Sequence, residues 1–174
     1  MKKLFPTTKT ESRRTRVMRW IFNVWPCIWC TGSKVTFIAG DFTELHVRLT
    51  LNWRTRNRVG TVFGGSIYSS VDPYYMLLLM EALGRDYVVW DKAASMKFVR
   101  PISKAVKCRF LIAPELLTEI REKTQENGQY IFDLPLQFED EEGKVYAVFT
   151  KTTFVATKAY YKQKKAAQDG TTAG

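Results

Sequence analysis

Residues 57–83 constrain the fold more than any other stretch of the chain. Three glycines, Gly60, Gly64 and Gly65, lead into a run whose apolar residues Ile67, Val71, Tyr74, Tyr75, Leu78, Met80 and Leu83 recur at helical spacing. Charge is almost absent, so the segment predicts one helix buried nearly all round. Such a helix needs a wrapping, and the segments on both sides read as strands. A curved sheet around a central helix is the simplest arrangement that satisfies both.

The same stretch carries a candidate reactive group. Glycines before a helix let its first N–H groups approach a ligand, and those donors favour a developing negative charge. Asp72 follows about two turns after Gly65 and is the one carboxylate before Glu81. Two readings of Asp72 stand. A lone acid on an apolar helix needs a partner or a task; equally, Asp72-Pro73 fits an N-cap followed by proline at the first helical position.

The order of elements follows from periodicity. Residues 11–28 fit an amphipathic helix capped by Thr10 or Ser12, with Val17, Ile21, Val24 and Ile28 on one face opposite Arg16, Arg19 and Asn23. Residues 35–39 and 43–51 read as strands; the second alternates Leu45, Val47, Leu49 and Leu51 inward with Glu44, His46, Arg48 and Thr50 outward. The single histidine is thereby placed on the outer face, away from any site at the central helix. Beyond that helix, residues 87–99 and 106–112 are extended, Pro114 opens a short helix stopped by Asn127-Gly128, and residues 129–139 and 144–157 form a closing hairpin. Pro135 marks a bulge or an unpaired edge. The fold class expected is α+β, an antiparallel sheet around a buried helix with an extra N-terminal amphipathic helix.

Charge divides the chain. The net charge is +10, yet residues 1–19 hold seven Lys or Arg against Glu11 alone, and residues 158–174 hold four Lys against Asp169. Three segments follow: a basic N-terminal segment over 1–34, a nearly neutral domain over 35–157, and a basic tail over 158–174 that is expected to be disordered. The arginines crowding the first turns of the N-terminal helix oppose its dipole, so they suggest either contact with an anionic membrane surface or partner, or simply a solvated face. No P-loop, zinc-finger spacing or RNP-like motif accompanies the charge, so no nucleic-acid partner and no metal are expected. Cys27 and Cys30 have redox-motif spacing, but neither a preceding strand nor a second cysteine pair supports it; buried thiols are expected, Cys108 included. Neither a secretory leader nor a membrane-spanning run is read in the sequence, so a cytoplasmic location is expected.

Asn57, Gly60-Thr61, Gly64-Gly65 and Asp72 together resemble the Asn-x-x-Gly-Thr-x-His-Gly-Gly-x6-Asp motif of hotdog-fold acyl-CoA thioesterases of the phenylacetate-pathway kind, and Phe98-Val99-Arg100-Pro101 resembles the end of the strand after the hotdog helix. The element order is similar over about residues 35–157. The resemblance implies that Asp72 acts as general base or nucleophile on a thioester carbonyl, that the N–H of Gly65 polarises that carbonyl with Gly64 shaping the turn, and that Asn57 positions substrate or water. Enclosure in an apolar helix would raise such a carboxylate's basicity. Phe63 stands where the family often carries histidine. Asp91 and Ser95, on the strand beside the helix, are candidates for a second polar group. Coenzyme A, part of the substrate and the only cofactor-like group implied, brings phosphates for which Arg54, Arg56, Arg58, Lys97, Arg100 and Lys104 are candidate contacts. The resemblance also implies a homodimer or dimer of dimers. The rival reading is a non-catalytic hotdog module that binds acyl-CoA or a fatty acyl ligand.

Overall fold

The computed structural model of the 174-residue chain describes residues 4–171. In order, the elements are α1 (Arg13–Val24), α2 (Pro26–Trp29), β1 (Ser33–Ile38), β2 (Glu44–Leu49), α3 (Gly64–Ser69), α4 (Tyr74–Leu83), β3 (Tyr87–Phe98), β4 (Val106–Leu111), α5 (Pro114–Asn127), β5 (Gln129–Glu139), β6 (Val145–Thr157) and α6 (Lys158–Thr171). Six strands form one antiparallel sheet in the order β1-β2-β4-β5-β6-β3.

Helix α4 lies against the sheet's apolar face. Tyr74 and Tyr75 set their rings edge-on to Phe110 of β4 at 5.3 and 5.0 Å, and the Tyr75 hydroxyl donates to the Pro135 carbonyl of β5 at 3.0 Å. Leu45, Val47 and Leu49 of β2, Leu134, Leu136 and Phe138 of β5, and Phe149 and Val155 of β6 complete the same core. The β2 set obeys the two-residue period that the sequence predicts, and the β5 and β6 sets show the same period. Pro135 pairs opposite Thr150 without a bulge, but β4 meets β5 only near Phe138 and Glu139, so Pro135 lacks a partner strand on that side.

Several expectations give way to packing. The single buried helix is two: α3 ends at Ser69, a turn spans residues 70–73, and α4 starts after Pro73, which has no N–H to continue α3. Burial is also one-sided, since Met80 is exposed and Met76 half-buried. Helix α1 starts at Ser12, whose hydroxyl accepts from the Thr15 N–H while the Thr15 hydroxyl accepts from the Ser12 N–H. It stops before Pro26, and it is rotated relative to the predicted face. Asn23 bonds the backbone of Val35 in both directions at 2.8 Å, and Phe22 packs on Tyr74, so Val17, Ile21 and Val24 point outward.

His46 does lie on the opposite face from Leu45 and Val47, yet it is fully buried rather than exposed. Phe5 and Phe37 sandwich it at about 5 Å, and its Nε2 lies 2.8 Å from Glu44 Oε1. Glu44 also accepts from the Thr7 hydroxyl and pairs with Arg109 at 2.8 Å. Burial raises the Glu44 carboxyl, but the bonds from His46, Thr7 and Arg109 outweigh it and hold the group below its ordinary value. The residues before α1 therefore form a cover over this face.

Cys27 and Cys30 are exposed and only Cys108 is buried, because α2 is a single turn with one buried residue, Ile28. The segment expected to be a disordered tail is helical over Lys158–Thr171, anchored by Lys158 N–H to the Asp86 carbonyl and by Tyr160 against Gly128. Residues 1–3 and 172–174 of the two basic ends lie outside the described residues.

The β5–β6 turn is organised by Asp140. Its Oδ1 accepts from the N–H groups of Glu142 and Lys144 at 3.0 Å, and its Oδ2 meets Lys104 at 2.7 Å and the Tyr146 hydroxyl at 3.2 Å. The Lys104 ammonium first, opposed by burial, and then the two backbone donors and Tyr146 hold this carboxyl far below the usual carboxylate range. A depressed folded value means stability present above the unfolded value of about 4 and lost as pH falls through the folded one. In urea unfolding followed against pH, Asp140→Asn is expected to lower the midpoint by a constant amount from about pH 5 to pH 8, and the gap to wild type narrows below about pH 4.

Candidate functional site

The site is built where α3, the 70–73 turn, β3 and β6 converge. On β6, the inward positions are Ala147, Phe149, Lys151, Thr153 and Val155; four fit the core and the fifth is a lysine. Its neighbours across the sheet are Leu134 on β5 and Ala94 on β3. The Lys151 side chain is 2% exposed, and an ammonium there needs all three of its protons used. They are used: Nζ donates to Asp72 Oδ1 at 3.0 Å, to the Asp72 carbonyl at 3.1 Å, and pairs with Asp91 Oδ2 at 2.8 Å. Burial lowers the lysine's proton affinity, but the bonds from Asp91 and then Asp72 outweigh it, and the ammonium is held above its ordinary value. Lys151 is thus a fixed cation, not a base.

Asp72 does not cap α4. Pro73 occupies the cap position, and the Asp72 carboxylate reaches Lys151 instead. Nor is it enclosed in an apolar helix: its side chain is 54% exposed, at the mouth of a 360 Å³ cavity lined by Tyr68, Pro73, Met76, Trp90, Asp91 and Ala94 among others. The split between α3 and α4 produces this exposure, because the turn carries Asp72 to the surface of the core.

Asp91 and Ser95 share odd parity in the sequence, which would put both beside Asp72. The structure separates them. A bulge between Asp91 and Ala93 shifts the β3–β6 register, so that Asp91 stands opposite Thr153 and Ala94 opposite Lys151, while Ser95 stands opposite Thr150. Residues directly across an antiparallel pair share a face. Asp91 therefore joins Lys151, with the Thr153 hydroxyl 3.4 Å from its Oδ1, and Ser95 lies on the other face with Lys97, which is opposite Val148.

The remaining residues lie at the start of α3 rather than in the Asp72 cavity. Gly64 and Gly65 open that helix, and the rise of α3 sets Gly64 about 7.5 Å along the axis from Ser69. Phe63, exposed, lays its ring over Gly65, where an added Cβ would meet the ring at 2.4 Å; Phe98 closes on Gly64 at 3.0 Å. Only glycines permit these approaches. Asn57 is a loop organiser: Oδ1 accepts from the N–H groups of Val59 and Thr61, and Nδ2 donates to the Thr61 hydroxyl at 2.9 Å.

Of the candidate phosphate contacts, Lys104 is paired with Asp140, Arg100 donates to the Val145 carbonyl, and Arg54 stacks on Trp29 with its guanidinium 4.1 Å from the ring centre. Arg56, Arg58 and Lys97 are exposed. Sequence reasoning missed Lys151 altogether. The signal was present, since a lysine on the Ala147-Phe149-Thr153-Val155 parity is the one charge on an apolar face. Among the described residues, no cluster of His, Cys, Asp and Glu is arranged to hold a metal ion.

Comparison with known proteins places this architecture. The family model described as Domain of unknown function (DUF4442) matches residues 13–155. The fold is shared with a Pseudomonas aeruginosa protein of unknown function described as a probable thioesterase, at 16% identity over 82% of this chain and 95% of that one, with a TM-score of 0.71. It is shared also with a thioesterase of Haemophilus influenzae, at 13% identity over 87% and 96% of the two chains and a TM-score of 0.61. The PaaI protein of the E. coli phenylacetic acid degradation operon is similar at 13% identity over 80% and 90%, with a TM-score of 0.55. No curated protein matches the sequence. The six-stranded sheet packed on α4 is the hotdog fold.

Proposed function

This chain is a hotdog-fold member of the DUF4442 family, and from that premise we propose that it hydrolyses the thioester of an acyl-CoA or a related acyl carrier, with Asp72 as the reacting carboxylate. One observation carries the reading. A half-exposed carboxylate at thioesterase-motif spacing is fixed by a buried ammonium and lines an open cavity. Lys151 takes Asp72 Oδ1 and the Asp72 carbonyl, so the carboxylate is oriented before substrate arrives. Oδ2 then either deprotonates the water that attacks the carbonyl, or attacks it directly to form an acyl anhydride that a water then hydrolyses to restore the carboxylate; in both cases the thiolate of coenzyme A leaves and takes up a proton. The first-turn N–H groups of α3 supply donors for the developing oxyanion.

The homodimer belongs to the same proposal. β3 is a twelve-residue strand at the sheet edge with Trp90 and Phe98 exposed, and a long exposed edge of this kind favours a partner strand. A second copy would bring another α3 start toward each Asp72 cavity, which accounts for their separation within one chain.

One observation favours the non-catalytic alternative. The Phe63 ring lies against the Cβ side of Gly65, the residue whose N–H the hydrolysis reading uses. Thiol release from short, long and aromatic acyl-CoAs, measured beside equilibrium binding of the same ligands, separates the two. Turnover of any member of the panel supports the hydrolase. Binding throughout the panel with no release above background replaces it with an acyl-CoA-binding module.

A further inference from the structure

Helix α1 faces the wrong way for a helix held only by packing. It gives Thr15, Met18 and Phe22 to the core, with Arg19 and Asn23 making polar contacts beside them, and gives Val17, Trp20, Ile21 and Val24 to solvent. At 3.6 residues per turn those four form one stripe on the side opposite Phe22. The more apolar face is therefore the exposed one.

The stripe is part of a larger patch. Trp25 joins α1 to α2, whose Trp29 stacks on Arg54; the same guanidinium lies 5.9 Å from the ring of Trp53. Gly32, at φ +76, brings the end of α2 against this loop so closely that a Cβ would meet Thr55 Cγ2 at 2.0 Å. Four of the chain's five tryptophans thus stand exposed on one connected surface, Trp53 at 83% and Trp20 at 65%. Around them lie exposed Arg13, Arg16, Arg56 and Arg58. No Asp or Glu occurs in residues 12–40 or 45–71, and the two acids paired with α1, Glu11 and Glu81, are bonded to its Arg19 and Arg14.

We propose that this patch docks on an anionic lipid bilayer, with α1 in the plane of the interface. Tryptophan and aliphatic side chains at headgroup depth, flanked by arginines and free of acids, are what an interfacial helix needs. Charge selects this occupant. A second copy using the same patch across a twofold axis would set arginine against arginine, whereas anionic headgroups complement it. Nucleic acid would answer the arginines and the rings but offers no apolar phase for Val17, Ile21 and Val24. Helix α1, twelve residues and about 18 Å long, lies on the membrane and does not cross it; among the described residues no helix is long and apolar enough to do so.

The test uses the full chain and sedimentable vesicles of phosphatidylcholine alone or with about 30% phosphatidylserine. The expected result is co-sedimentation with the anionic vesicles only, a blue shift of tryptophan emission, and release by salt. The pair Trp20→Gln and Trp53→Gln weakens binding about tenfold or more, and Arg13→Gln or Arg16→Gln weakens it about fivefold each. Lys162→Gln with Lys165→Gln, on α6, leaves it within about twofold. All these side chains are exposed, and unchanged melting confirms folding. Absence of co-sedimentation at low salt overturns the proposal, as does binding that survives the tryptophan pair but not the α6 pair. Failure on vesicles together with dissociation of an oligomer by the tryptophan pair assigns the patch to a second copy. Failure on vesicles with salt-sensitive capture of single-stranded RNA assigns it to nucleic acid.

Discussion

Lys151→Met is expected to cost about 2–4 kcal/mol of stability, the largest effect of any single substitution at the site. The lysine is 2% exposed and satisfies three acceptors, so its loss leaves the Asp72 and Asp91 carboxylates facing each other without a cation. The cost stays below that of a fully buried pair because half of the Asp72 surface keeps its water. Chemical denaturation at neutral pH checks the magnitude, and a pH series checks the cause. The folded lysine is held above its ordinary value, so its contribution is present below the unfolded value of about 10.4 and lost as pH rises through the folded one. The gap between wild type and Lys151→Met should stay level from about pH 6 to pH 9 and close above about pH 10.4. Adding Asp91→Asn to Lys151→Met removes one of the two stranded charges and should recover part of the loss, a coupling that a double-mutant cycle reads directly.

Asp72→Asn is expected to lower kcat on acyl-CoA by about 10²–10⁴-fold, the usual worth of a positioned base, while changing stability by less than about 1 kcal/mol because the side chain is largely in water. Asp91→Asn should do the reverse in proportion. Asp91 holds Lys151 at 2.8 Å and reaches the chemistry only through it, so kcat falls about tenfold or less while melting drops more than for Asp72→Asn. The opposite orders of activity loss and stability loss distinguish a reacting carboxylate from a positioning one. Two variants that lose activity only in step with stability would make the whole cluster a structural ion pair.

Much of this could be read from the residues because the governing rules are local. Alternation fixes the inward faces of β2, β5 and β6, Pro114 and Gly128 bound α5, and the glycine spacing before Asp72 points to the hotdog fold. What escaped depends on contacts between distant segments. The bulge at residues 91–93 reverses the parity of everything after it on β3, and so sends Ser95 away from the site. The orientation of α1 follows from Asn23 bonding the backbone of Val35 together with Thr15, Met18 and Phe22 meeting the core. His46 is buried by Phe5, more than forty positions earlier in the chain, and no period of two could reveal that cover. Lys151 is the instructive omission. Residues 144–157 read only as the returning strand of a hairpin, and an inward lysine there reads as an exception until two carboxylates are found waiting for it.

The role of Asp72 is decided by thiol release from acyl-CoA by wild type beside Asp72→Asn, with melting and oligomeric state matched. Turnover is expected in the wild type and its collapse in the variant, with acyl-CoA still bound by both. Equal release by the two proteins would remove Asp72 from the chemistry and contradict the central claim.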